Sequence, residues 1–130
     1  MNKLFYTLLI VLLYSCQSTS VKIDNLNLDK WKSDKNACLG YRNQKIEELQ
    51  SSKNNLLRLS EKEIINTIGK PDKEELMKRS QKSFIYYLEK NTSCSNYQEN
   101  SDAIVKVFQI RFNAMGYSNE LLINQEYLKD

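Results

Sequence analysis

The residues Ser60-Glu61-Lys62-Glu63-Ile64-Ile65-Asn66-Thr67-Ile68-Gly69-Lys70-Pro71 specify both ends of one helix and the point where helix gives way to strand. Ser60 with Glu63 three residues on matches a capping box, in which the hydroxyl and the carboxylate each accept from an otherwise free backbone N–H. Ile64, Ile65 and Ile68 form the apolar stripe. Gly69 stands where a left-handed terminal residue belongs, and Pro71 forbids continuation. After Pro71-Asp72 the period changes. Ser83-Phe84-Ile85-Tyr86-Tyr87-Leu88 is rich in aromatic and β-branched residues and reads as a strand. Ala103 to Phe112 is the longest strand candidate, and Tyr117 to Asn124 returns as its hairpin partner after a turn at Asn113-Ala114-Met115-Gly116. Glu75 to Lys78 is expected as a first strand, although Leu76 and Met77 also suit a helix, with Arg79 to Lys82 as the turn. Asn91 to Ser101 reads as a polar loop.

Toward the N-terminus, Asp29 is expected to cap a helix from about Lys30 to Gln50. Trp31, Cys38, Leu39, Ile46 and Leu49 fit helical spacing, with charges between them, until Ser51-Ser52-Lys53-Asn54-Asn55 breaks the pattern. The order is helix, helix, then strands. It predicts an α+β fold with two N-terminal helices packed on one face of a three- to four-stranded antiparallel sheet. The single domain is expected over residues 29–124, with a loose tail at 125–130.

The chain has 130 residues, which bounds it to one domain plus short appendages. A formal net charge of +3, from 19 basic and 16 acidic residues, is too balanced for a dedicated nucleic-acid binder. Histidine is absent, which removes the usual neutral-pH acid/base, the commonest metal ligand and any Ser-His-Asp or Cys-His site. With 3 Gly and 1 Pro there is no Gly-rich phosphate loop and no Pro-rich linker. No cofactor is expected.

Met1-Asn2-Lys3 followed by the apolar run Leu4 to Tyr14 is too short to cross a bilayer, which takes about 20 residues. It has the form of a secretory signal over residues 1–15. Leu13-Tyr14-Ser15-Cys16 resembles the bacterial lipobox, in which the Cys thiol receives a diacylglyceryl group and becomes the first mature residue. Several acyl chains are needed for stable anchoring, since one chain holds only marginally. The alternative is an unmodified Cys in an ordinary signal peptide. Residues 16–28, rich in Ser, Thr and Asn, read as a lipidated tether. By resemblance to known lipoproteins, the absence of Asp after Cys16 and of an acidic cluster points to the periplasmic face of the outer membrane.

Of 3 cysteines, Cys16 is assigned to lipid, which leaves Cys38 and Cys94. An even remainder in an exported chain reads as one disulfide, the alternative being two buried free thiols. The bond would close a loop worth about 4 kcal/mol in the chain-entropy model. Two distant Cys and no His are too few ligands for a metal site.

The segment from Leu59-Ser60-Glu61 through Ile64 and Ile68 to Gly69-Lys70-Pro71-Asp72, then a Tyr-rich strand and a strand ending at a Gly turn, resembles the SmpA/OmlA (BamE-like) family. The layout covers roughly residues 56–124 and is shared with β-lactamase-inhibitor-like domains. The whole mature chain also resembles small lipoproteins of Bacteroidetes, through Trp31-x-x-Asp34-x-x-x-Cys38-x-x-x-Arg42, Phe84-x-Tyr86-Tyr87-Leu88 with Cys94, and Ile110-Arg111-Phe112-Asn113-x-x-Gly116. The resemblance implies a non-enzymatic, protein-binding module anchored in the cell envelope, serving outer-membrane assembly or maintenance. One alternative is an inhibitor or immunity-type lipoprotein that neutralises a toxin or hydrolase.

The second alternative is an envelope hydrolase working through carboxylates, with Glu47, Glu48, Glu61, Glu63, Glu74 and Glu75 as its candidates. Their places on helix backs and near helix ends suit solvated charge better than a catalytic pair. Tyr86 and Tyr87 fall on opposite faces of a strand, so at least one is expected in the core and the other offers a contact surface. Trp31 and Arg42 lie three helical turns apart, so within one helix they would share a face. Trp31 is expected to pack on the sheet, and Arg42 to tie down a carboxylate or loop carbonyls.

Overall fold

The computed structural model describes residues 21–98 and 104–128. The signal peptide (1–15) and Cys16 lie outside the described residues. Within them the fold is α+β. Helices α1 (Leu28–Ser33), α2 (Tyr41–Gln44), α3 (Ile46–Ser52) and α4 (Glu61–Ile68) precede strands β1 (Lys73–Leu76), β2 (Lys82–Tyr87), β3 (Ile104–Phe112) and β4 (Ser118–Tyr127). The strands form one antiparallel sheet in the order β1-β2-β3-β4.

Pleating decides which strand residues are buried. Phe84 and Tyr86 of β2 and Phe108, Ile110 and Phe112 of β3 form one cluster with Leu88, Leu121 and the helical residues Trp31, Leu49, Leu56, Ile64 and Ile68. Phe84 meets Phe112 edge to face at 4.6 Å between ring centres. Each such buried side chain contributes about 1.5–3 kcal/mol. Ile85, Val105 and Val107 form a second, smaller cluster, flanked by Tyr87 and Leu128.

Helix α4 has the ends its sequence specifies. Ser60 Oγ accepts from the Glu63 N–H, and Glu63 accepts from the Ser60 N–H at 2.8 Å. Gly69 ends it at φ +86°, and a Cβ there would come within 2.9 Å of the Lys32 side chain. Glycine is needed for its backbone and for its lack of a side chain.

The long helix expected from Lys30 to Gln50 is broken into α1, a turn at Lys35–Ala37, α2 and α3. Asn36, Ala37 and Gly40 have φ of 53°, 54° and 81°, which a right-handed helix cannot contain. The Asp34 carboxylate supplies the reason. It accepts from the N–H groups of Leu39 and Arg42 at 2.7 and 2.8 Å, offering the backbone an alternative to helical bonding. Asn27, rather than Asp29, caps α1, accepting from the Lys30 N–H at 3.0 Å.

Three further boundaries move. Strand β1 begins at Lys73, not Glu75, and its connection to β2 contains Arg79 and Ser80 at positive φ. The expected loose tail is strand as far as Tyr127, because residues 125–127 still pair with β3. The expected tether is folded over residues 21–28: Ile23 and Leu26 are buried in the main core. The Val21 N–H reaches Thr67 Oγ1 at 3.4 Å.

The backbone N–H and hydroxyl of Ser60 hold the Glu63 carboxyl below its ordinary value of 4.5. A carboxyl whose pKa falls on folding stabilises fully above its unfolded value and loses that contribution as pH drops through the folded one. Ser60→Ala is expected to cost about 1 kcal/mol in urea unfolding at neutral pH. Glu63→Gln is expected to flatten the acid limb of the stability–pH curve below about pH 4.5.

Candidate functional site

Segment 34–42 is the irregular part of the fold, and charged groups hold it in place. Arg42 and Asp34 are buried, and the Asp72 side chain is 3% exposed. Arg42 Nη1 donates to Asp72 Oδ2 and to the Tyr87 carbonyl, and its Nε donates to the Trp31 carbonyl. The guanidinium carbon lies 4.9 Å from the centre of the Trp31 ring and 5.8 Å from that of Tyr86. Asp72 also accepts from the N–H groups of Asn36 and Tyr87, at 3.0 and 2.8 Å. Asn91, buried in the loop after β2, donates to the Asn36 carbonyl at 2.9 Å.

The cluster therefore bonds segment 34–42 to both the start of β1 and the end of β2. It sets Cys38 beside Cys94, and these two form a disulfide with Cα atoms 5.4 Å apart. Trp31 and Arg42 do meet, but through this fold-back and not as neighbours on one long helix. Sequence reasoning puts Asp34 among the solvated charges of the first helix, whereas it is buried, and gives no role to Asn36, Asp72 or Asn91. The available signal was an Asp directly after the Gly-x-Pro stop, together with Asp34 and Arg42 flanking Cys38.

Five of the six candidate carboxylates have partners in the fold, with Glu61 and Glu74 sharing one. Glu48 pairs with Lys45 and Glu61 with Lys82, at 2.6 and 2.8 Å. Glu63 belongs to the capping box, and Glu74 lies 3.7 Å from Lys82. Glu75 pairs with Lys73 at 2.7 Å, and Glu47 is exposed. Tyr86 is buried and donates from its hydroxyl to the Gly69 carbonyl at 2.8 Å. Burial raises its pKa above the ordinary phenol range.

Tyr87 is half-buried on the opposite face of the sheet, which carries the second apolar cluster. Burial raises its pKa as well. Around it Lys73 bonds Glu126 and Glu75, each at 2.7 Å, which holds the ammonium above the ordinary lysine range. Asn124 donates to Gln109 at 2.9 Å, and Arg111 pairs with Glu120 at 2.8 Å. A shallow hollow of about 220 Å³ lies over Ile85, Val107, Gln109 and Asn124. This face can offer contact area, and its charges are paired, although Arg111 Nε and Glu126 Oε2 are buried without a hydrogen-bond partner.

No protein-family model, curated protein or solved structure matches this chain. Among the described residues, no helix is long and apolar enough to cross a membrane.

Removing one partner of a buried ion pair strands the other charge, which typically costs about 3–5 kcal/mol, whereas a surface pair is worth about 0–1 kcal/mol. Arg42→Ala is therefore expected to lower unfolding free energy severalfold more than Lys73→Ala, as read by urea titration of the two variants.

Proposed function

We propose that this chain is a lipid-anchored protein of the outer membrane, facing the periplasm, that binds another envelope protein and catalyses no reaction. The observation that carries the reading is the Cys38–Cys94 bond in a chain whose remaining cysteine, Cys16, ends a lipobox-like leader. A disulfide between cysteines 56 residues apart suits an oxidising compartment. The Gly-x-Pro helix stop followed by an antiparallel meander supports a BamE-like layout, with the helical segments covering one sheet face.

Five residues of sequence separate Cys16 from Val21, whose N–H reaches Thr67 Oγ1, and five residues reach at most about 17 Å. Such a short connection keeps the domain beside the membrane and raises its effective concentration toward any partner there.

Growth with a palmitate analogue is expected to label the protein in the membrane fraction, and Cys16→Ala is expected to abolish the label. An unlabelled, cytosolic protein would overturn the anchor. Crosslinking pull-down from intact cells is expected to yield a resident envelope protein. Recovery of a secreted toxin or hydrolase would favour the inhibitor reading instead.

A further inference from the structure

The antiparallel register brings three connections to one end of the sheet. Leu76 is opposite Lys82, Lys82 is opposite Phe112, and Phe112 is opposite Ser118. The β1–β2 connection and the β3–β4 turn therefore lie side by side. The segment before α4 joins them: the Arg58 N–H donates to the Ser118 carbonyl at 2.8 Å, and the Glu61 N–H to the Gly116 carbonyl at 3.3 Å.

This end collects exposed apolar side chains. Leu76 is 85% exposed and Met115 78%, and Tyr117 and Leu57 are also exposed. Four strand spacings of about 4.8 Å separate β1 from the segment before α4, so the set spans about 19 Å. Arg58, Lys62, Lys78 and Arg79 belong to the same connections or to the first turn of α4, and all are exposed. None of the four has a carboxylate within ion-pair distance among the described residues, whereas Lys82 is held by Glu61 and Glu74. The contrast with the open sheet face is direct, since Lys73 and Arg111 there are paired.

We propose that this end of the sheet is the docking surface for an acidic protein, with Leu57, Leu76, Met115 and Tyr117 as apolar contacts spread along it and Arg58, Lys62, Lys78 and Arg79 as its cationic ones. The inference rests on the reading of the chain as an envelope protein-binding module. Tyr, Met and Arg are the residue types enriched at protein interfaces, and uncompensated cations at a rim select and steer a carboxylate-rich partner. Two arginines favour carboxylates, which they can engage with two parallel hydrogen bonds.

The test places a photo-reactive amino acid at Met115 or Leu76 of the full chain in intact cells, with Leu39, exposed at the disulfide end, as the control position. Met115 and Leu76 are expected to give the same protein adduct, through a peptide rich in Asp and Glu, and Leu39 is not. The combined change Arg58→Glu and Arg79→Glu is expected to reduce the adduct at least tenfold. Lys62→Glu with Lys78→Glu, which leaves the left-handed Arg58 and Arg79 in place, serves as the second variant should the first fail to fold. Adducts to lipid, or adducts indifferent to both charge reversals, would overturn the proposal. A protein adduct from Leu39 alone would remove this surface and leave the binding module standing. No protein adduct from any of the three positions would overturn both.

Discussion

One buried guanidinium organises the least regular part of this molecule. Arg42 has given up water for Asp72, two backbone carbonyls and the faces of Trp31 and Tyr86. Desolvating such a charge is costly unless it is paired and hydrogen-bonded. Asp72 meets that condition from the sheet side, and Asp34 fixes the backbone that delivers Arg42. Segment 34–42 can then turn through three left-handed residues without being a flexible loop.

The disulfide acts on the same junction by a different mechanism. Arg42 and Asp72 stabilise the folded arrangement directly, whereas a crosslink spanning 56 positions acts mainly by restricting the unfolded chain. The two act on one segment, because the ion pair and the disulfide both tie residues 34–42 to the rest of the fold. Helix α4 is held more conventionally, by its capping box and by Ile64 and Ile68 in the core.

What was legible in the sequence was whatever short-range chemistry decides. The capping box, the Gly-x-Pro stop and the aromatic strand each declare themselves within about ten residues, and the sheet follows from them. The even cysteine remainder named the disulfide. The segment from Lys30 to Gln50 was misread because its apolar spacing is helical while its conformation is set by Asp34 and by Asp72, some 30 residues further on. No local pattern reports that competition. The end of β4 was read as tail because Gln125, Glu126 and Tyr127 carry no apolar alternation, yet β3 provides them with pairing partners. The docking end was hidden for the opposite reason. Its residues come from three separate turns, and only the register shows that they meet.

The buried cluster, and not the disulfide alone, is proposed to place Cys38 against Cys94. That placement is tested by measuring the effective concentration of the two thiols in glutathione redox buffers for the native sequence and for Asp72→Asn. Each 1.4 kcal/mol of lost positioning is a tenfold change. The substitution is expected to lower the effective concentration by at least about tenfold. An unchanged value, with the variant still folded, would show that the cysteines find each other without Arg42 and Asp72, and would contradict a placing role for the cluster.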